Sequence, residues 1–252
     1  MTWDAYLDRF HAERPGITEA ILRAARDDGG VCPYAWLASA VPPGSRVLDL
    51  GCGSAPMCGL LAASSWVGLD RSAAELAAAR DAGARPLLRA RAAAVPLRDA
   101  SVDLVACSMS LMVTTPLPEV IGEVSRVLRP GGLLAAMVPA SGPLRGKDRI
   151  AIAGLLAALG RAPSYPVGRD LASLPALLAR YGLRVLADDL GRFGYRMHAR
   201  ADAGQLMASL YLPALPRARY RLARAWLGLL AASGAEFPVP LRRIIAAAQP
   251  AR

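Results

Sequence analysis

Val47-Leu48-Asp49-Leu50-Gly51-Cys52-Gly53-Ser54-Ala55 is the stretch on which the reading of the fold turns. A short apolar run that ends in a glycine-rich turn and opens a helix is the start of a nucleotide-binding βα unit, because the glycines let the backbone approach a ligand closely. The pattern predicts a strand over 46–50 and a helix over 57–64. Working outward, WVGLD (66–70) is a second strand, followed by a helix over 72–82 that Ser72 can cap. A weaker strand at 85–89, VDLVACS (102–108), a helix over 118–128 closed by Pro130-Gly131-Gly132, and LLAAMV (133–138) continue the alternation. Apolar strands alternating with helices predict an α/β, Rossmann-like fold, its parallel sheet covered by helices on both faces. Beyond residue 140, helices are expected at 149–159, 171–181, 202–211 and 217–232, with strands at 183–190 and 243–247. One domain over 1–252 results, with an N-terminal helical cover (1–40), a cofactor-binding core (41–140) and a helical substrate-lid insertion (200–236) before the last strand.

Asp49 separates this turn from a dinucleotide site. A carboxylate just before the glycines would oppose a pyrophosphate by roughly 4 kcal/mol per unit charge at 4 Å; it attracts a cation instead. Pro56 also stands where a dinucleotide fingerprint needs Gly or Ala. Asp70, at the end of the second strand, is placed to accept hydrogen bonds from both hydroxyls of a ribose; its other use would be to cap the following helix. The ligand implied is nucleoside-like and cationic at its far end.

Four segments then resemble the class I S-adenosylmethionine-dependent methyltransferases, in particular their small-molecule group: VLDLGCGSA (47–55), VGLD (67–70), VPLRDASVD (95–103) and RVLRPGG (126–132). The resemblance spans 46 to about 138 and implies the seven-stranded sheet of that family. It also implies S-adenosyl-L-methionine as cofactor, with Asp49, Gly51, Cys52 and Gly53 at its methionine part and Asp70 and Arg71 at the ribose. Ala92 and Ala93 would contact the adenine, and Ser108 and Met109 would lie beside the transferred methyl. Two positions depart from the family pattern: Ala55 replaces the third glycine, and Arg91 replaces the Asp that commonly contacts the adenine amino group.

Methyl transfer needs a nucleophile held in line about 3 Å from the methyl, and a base only when the acceptor is protonated. His11, beside Tyr6 in the expected N-terminal helix DAYLDRFHAERPG, is the candidate base. His198, Tyr211 and Trp226 are the candidate substrate contacts. The sequence after the fourth strand, CSMSLM (107–112), lacks the Pro-Pro-Tyr signature of amine-methylating relatives. The four cysteines show no ligand spacing, so no metal is expected.

With 54% hydrophobic and 20% charged residues, a disordered chain is excluded. The net charge of +10 is uneven: residues 1–134 hold 13 arginines against 14 acids, and 135–252 hold 17 basic residues against 6 acids. Only one basic residue, Lys147, is not arginine, which suits a GC-rich coding bias. In the basic stretch 213–232, Arg217, Arg221 and Arg224 share one helical face, with Leu222, Trp226, Leu229 and Leu230 available to the other. A lid with a solvated basic face is the preferred reading, ahead of membrane-surface contact, with RNA last. The N-terminus carries no secretory h-region, and the uncharged run 50–69 is too rich in Gly, Ser and Pro to span a bilayer. The expectation is a cytoplasmic monomer or homodimer acting by methyl transfer on a small, largely apolar acceptor, at an oxygen of a specialised metabolite. Two alternatives stay open, a protein of the same fold that binds the cofactor for another reaction or none, and an RNA methyltransferase.

Overall fold

The computed structural model describes residues 2–61 and 65–250. Seven strands form one sheet: β1 (Arg46–Leu50), β2 (Ser65–Asp70), β3 (Leu87–Arg89), β4 (Val102–Ser108), β5 (Leu128–Pro139), β6 (Leu183–Arg196) and β7 (Glu236–Ala248), in the order β3-β2-β1-β4-β5-β7-β6. Strands β1 to β5 pair in parallel, and β7 runs antiparallel to both β5 and β6. The order reverses between β1 and β4, so their C-terminal ends flank the crevice where open α/β sheets bind ligands.

The sheet is apolar on both faces because side chains alternate along each strand. Leu48, Val105, Leu134 and Ile244 face α5 (Leu117–Val127) and α8 (Leu174–Arg180). Val47, Leu104, Ala135 and Ile245 face the opposite core. That core is closed by α2 (Ile17–Ala24), α3 (Pro33–Ala38), α4 (Ala73–Asp81), α6 (Gly146–Leu159), α9 (Arg200–Ser209) and α10 (Arg217–Ala232). A third, smaller cluster joins α1 (Trp3–Glu13) through Leu7 and Phe10 to Met112 and Tyr211.

Two of the family motifs hold each other. The Arg126 guanidinium donates to the carbonyls of Val95 and Leu97 and to Asp99 Oδ1, so RVLRPGG clamps the VPLRDASVD loop. Asp103 accepts from Arg46 N at 2.7 Å and from its guanidinium at 2.9 Å, tying β4 to β1.

Four local expectations are corrected. Over 57–64 the described residues contain only a 3-10 turn, Cys58–Leu61, and 62–64 lie outside the described residues. The stretch between Ala55 and β2 is too short to return along a five-residue strand of about 17 Å as an α-helix rising 1.5 Å per residue. The helix expected over 171–181 breaks into α7 (Gly168–Ala172) and α8, because Pro175 fits only a first turn. Strands β6 and β7 extend far beyond 183–190 and 243–247, since the charges that read as loop find partners: Asp188 with Arg242 at 2.6 Å, Asp189 with Arg243 at 2.8 Å, and Arg192 with the buried Asp148 at 2.7 Å. Helix α10 is phased differently, burying Ala223, Leu227 and Ala231 and leaving Leu222 and Leu229 exposed.

Candidate active site

The turn after β1 is built around two positive-φ glycines, Gly51 (φ 70°) and Gly53 (φ 54°). At Gly51 no side chain fits, because a β-carbon there would lie 2.5 Å from Ser110 Cβ. Ser110 is itself fixed by donating from Oγ to Leu50 O at 2.6 Å. Gly51 N and Cys52 N both donate to Leu69 O, binding the turn to the end of β2. Asp70 then receives Gly53 N on Oδ2 (2.9 Å) and Ser72 N on Oδ1 (2.8 Å). Each oxygen keeps a lone pair, so the carboxylate is oriented by the backbone and still free to accept from a diol. The cap of α4 is Ser72, which accepts from Glu75 N, so Asp70 is not used for that purpose.

These residues line a cavity of about 1060 Å³ counted to its mouth, together with Cys52, Arg71, Arg91, Ala92, Ser108 and Met109. Ser108 Oγ is buried there with no hydrogen-bond partner. Met109 has φ 58°, a conformation that a non-glycine side chain adopts at the expense of strain and that recurs at functional sites. Ala93 packs against the core and does not reach the cavity wall. Asp49 does not reach it either. Its carboxyl is fully buried, and neither oxygen completes a hydrogen bond. Desolvation pushes it up to about 7, opposed by the nearby Trp66 indole and reinforced by the charge of Asp70. The indole N–H also stops short of hydrogen-bond geometry.

The N-terminal segment closes the cavity through polar contacts. Arg71 pairs with Asp4 and Asp8 of α1, Glu19 with Ser54, and Glu75 Oε2 accepts from Gly16 N at 3.0 Å. His11, on the same helix, has Nδ1 at 2.8 Å from Glu75 Oε1 and Nε2 at 3.3 Å from the Tyr211 hydroxyl. An ionised carboxylate only accepts, so Nδ1 carries the proton and Nε2 accepts from Tyr211.

Beyond Tyr211 lies a second, mostly aliphatic hollow of about 2440 Å³ including its open mouth. It shares Thr18, Met109 and Tyr211 with the first cavity. Thus Thr18, Met109 and Tyr211 stand between the two spaces, with His11 bonded to Tyr211 from the side of the first cavity.

Three expected contacts are not brought there. The Tyr6 hydroxyl accepts from Leu212 N at 2.8 Å on the outer side of α1, among Phe10 and Leu215, outside both spaces. His198 is exposed, and its backbone N donates to Asp202 at the start of α9. Trp226 donates to Ala151 O at 3.0 Å and lies on Gly154, where a β-carbon would come within 2.2 Å of its ring, so it locks α10 to α6. Conversely, Glu75 and Thr18 were not anticipated. The Ser72-x-x-Glu75 spacing reads as a capping box, but Asp70 already occupies Ser72 N, and this frees the Glu75 carboxylate to turn toward His11 and Gly16. Thr18 carried no signal in the sequence. Among the described residues, no group of three or more His, Cys, Asp or Glu side chains gathers to hold a metal.

A family model described as a methyltransferase domain matches residues 48–136. Two curated relatives are a malonyl-[acyl-carrier protein] O-methyltransferase of Methylococcus capsulatus and a trans-aconitate 2-methyltransferase of Deinococcus radiodurans. The first is 39% identical over 37% of this chain and 37% of its own length; the second is 33% identical over 56% and 51%. The chain therefore spans a third to a half of the relatives it matches. Among solved structures, the YcgJ protein of Bacillus subtilis superposes with a TM-score of 0.56 at 16% identity, covering 86% of this chain and 97% of that one. The matched segment, residues 48–136, holds the glycine turn, Asp70 and the end of β4 around the first cavity, and this part of the chain is similar to a methyltransferase domain.

Proposed function

We propose that the protein methylates a small, largely apolar acceptor at an oxygen, using S-adenosylmethionine as donor. The observation that carries this reading is the adjacency of two spaces: a glycine-walled cavity with Asp70 and Ser108 on its wall shares Thr18, Met109 and Tyr211 with an aliphatic one. The bound donor supplies a sulfonium methyl, and its transfer breaks the S–CH3 bond, forms an O–CH3 bond, leaves the electron pair on sulfur and releases the acceptor's proton. Asp70 holds the ribose hydroxyls, Ser108 takes a polar group of the donor, and Asp49 supplies the negative field for its cationic end. His11 receives the proton through Tyr211, with Glu75 fixing the imidazole tautomer and stabilising the charged ring. The name of one relative, an O-methyltransferase, agrees with oxygen as the nucleophile.

Calorimetry with S-adenosylmethionine, S-adenosylhomocysteine and NAD tests the donor. Binding of the first two without NAD is expected; the reverse would overturn the reading. Methyl-labelled donor offered with phenols, carboxylic acids and total RNA tests the acceptor, and label recovered only in RNA would replace it with an RNA methyltransferase.

A further inference from the structure

We infer that the acceptor is an elongated amphiphile, with a single hydroxyl head held by Thr18 and Tyr211 and an apolar body lying in the second hollow. The inference rests on the methyl-transfer reading above and names the class of molecule that the same site takes.

Thr18 Oγ1 is buried close beside the Tyr211 hydroxyl without completing hydrogen-bond geometry to it, and it lines both spaces. A hydroxyl sealed from water in this way is matched to a partner that arrives with the ligand. Next to it stands the Tyr211 hydroxyl, already donating to His11 Nε2; its oxygen is left to accept. Together the two side chains offer a donor and an acceptor to one oxygen atom at the junction, beside Met109. An alcohol or phenol that donates to Tyr211 and accepts from Thr18 satisfies both, and the donated proton has a continuous path to His11.

Past this head site the walls change character. Ile21, Leu22, Leu155, Leu156, Phe237 and Leu241 form much of the hollow. The charged residues on its wall, Asp188 and Arg242, are bonded to each other through both guanidinium arms at 2.6 Å, and Arg242 also reaches Leu171 O. Their charges are thus spent within the protein. A body that lies here gains from burial and has no charge to match, and a hollow of this volume has room for a chain or fused rings.

The probe is a series of 4-alkylphenols from ethyl to octyl, titrated by calorimetry into the protein saturated with S-adenosylhomocysteine. Affinity should rise by up to about 4-fold per methylene over the first several carbons, as expected for burying CH2 groups. Leu156→Trp, or Ile152→Phe if the first does not fold, should cut the gain for the long chains by 10-fold or more. Both variants should leave 4-ethylphenol and S-adenosylhomocysteine binding within 2-fold. Thr18→Val keeps the shape and removes the hydroxyl; it should shrink the preference for 4-hexylphenol over hexylbenzene by about 10-fold. Affinity independent of chain length, an equal loss for all lengths on filling the hollow, or an unchanged head preference in Thr18→Val would overturn the inference. If S-adenosylhomocysteine does not bind at all, the methyl-transfer reading fails first, and the alkylphenol series run without it still reports on the hollow.

Discussion

On the proposed reading the site has a donor half and an acceptor half, and the two are made by different means. The donor half, from β1 to the end of β4, works through fixed backbone: Gly51 is required by a neighbouring serine, and Asp70 is aimed by two main-chain N–H groups. The acceptor half gathers α2, α6, α9 and β7, elements from both ends of the chain, around a space defined mainly by aliphatic bulk. A site of the first kind tolerates few replacements at few positions. A site of the second kind spreads its requirements over many, each replaceable by a side chain of similar volume.

The sharpest way to break the contrast is Gly51→Ala. The added carbon meets Ser110, which cannot retreat without giving up its bond to Leu50 O, and φ is positive. Donor affinity should fall by about 100-fold or more, read by calorimetry, together with a lower Tm. A variant that binds normally would show the donor half to be as pliable as the acceptor half.

His11→Gln should lower turnover by ~10²-fold while leaving donor affinity within about 2-fold, measured on any acceptor hydroxyl that turns over. Glu75→Gln should lower turnover less and lower the pH at which the rate reaches half its plateau change, because the charged ring loses its anionic partner; an unmoved profile would assign Glu75 to anchoring Gly16 alone.

Asp49→Asn connects the donor half to stability. The carboxyl's value rises from 3.8 to about 7 on folding, so as pH increases the unfolded chain ionises first. Stability is then lost between about pH 4 and pH 7 and stays low above it. Asparagine removes that pH-dependent loss but leaves a buried amide to satisfy at every pH, so relative to the parent the variant should gain about 4 kcal/mol between pH 4 and pH 8, from a net cost at the low end to a net gain at the high end, in denaturant titrations. Donor affinity should drop in the same variant. No pH dependence in the difference would mean that Asp49 ionises freely in the folded chain.

The smallest effect is expected from changing Arg217, Arg221 and Arg224 together to Gln. All three are exposed on α10, and activity on a neutral acceptor should change by less than about 2-fold. If they held a nucleic-acid strand, loss of three contacts would reduce the slope of log affinity against log salt by about 2.

The same contrast explains what was legible in the sequence. Strand order and the glycine turn with Asp70 beside it could be read because glycines at positive φ and an acid ending a strand leave few alternatives. Asp188, Asp189 and Arg192 obscured the length of β6, since a charged strand is recognisable only once Arg242, Arg243 and Asp148 are known to lie opposite. The pairing of His11 with Glu75 joins helices 64 residues apart, and no local pattern encodes it. Trp226 and His198 carry suggestive chemistry in one dimension and ordinary packing or solvation in three.

One feature of the N-terminal helix bears on timing. Helix α1 shuts the donor cavity with Asp4 and Asp8 and carries the imidazole on the same few turns. On the proposed mechanism, swinging it aside to exchange a nucleoside-sized ligand would withdraw His11 from the junction in the same movement, so access and competence would exclude each other. Because the Arg71 pairs are partly exposed and individually weak, the latch is a light one, suited to opening on every cycle, and added salt should hasten release of the spent donor before it alters the chemical step.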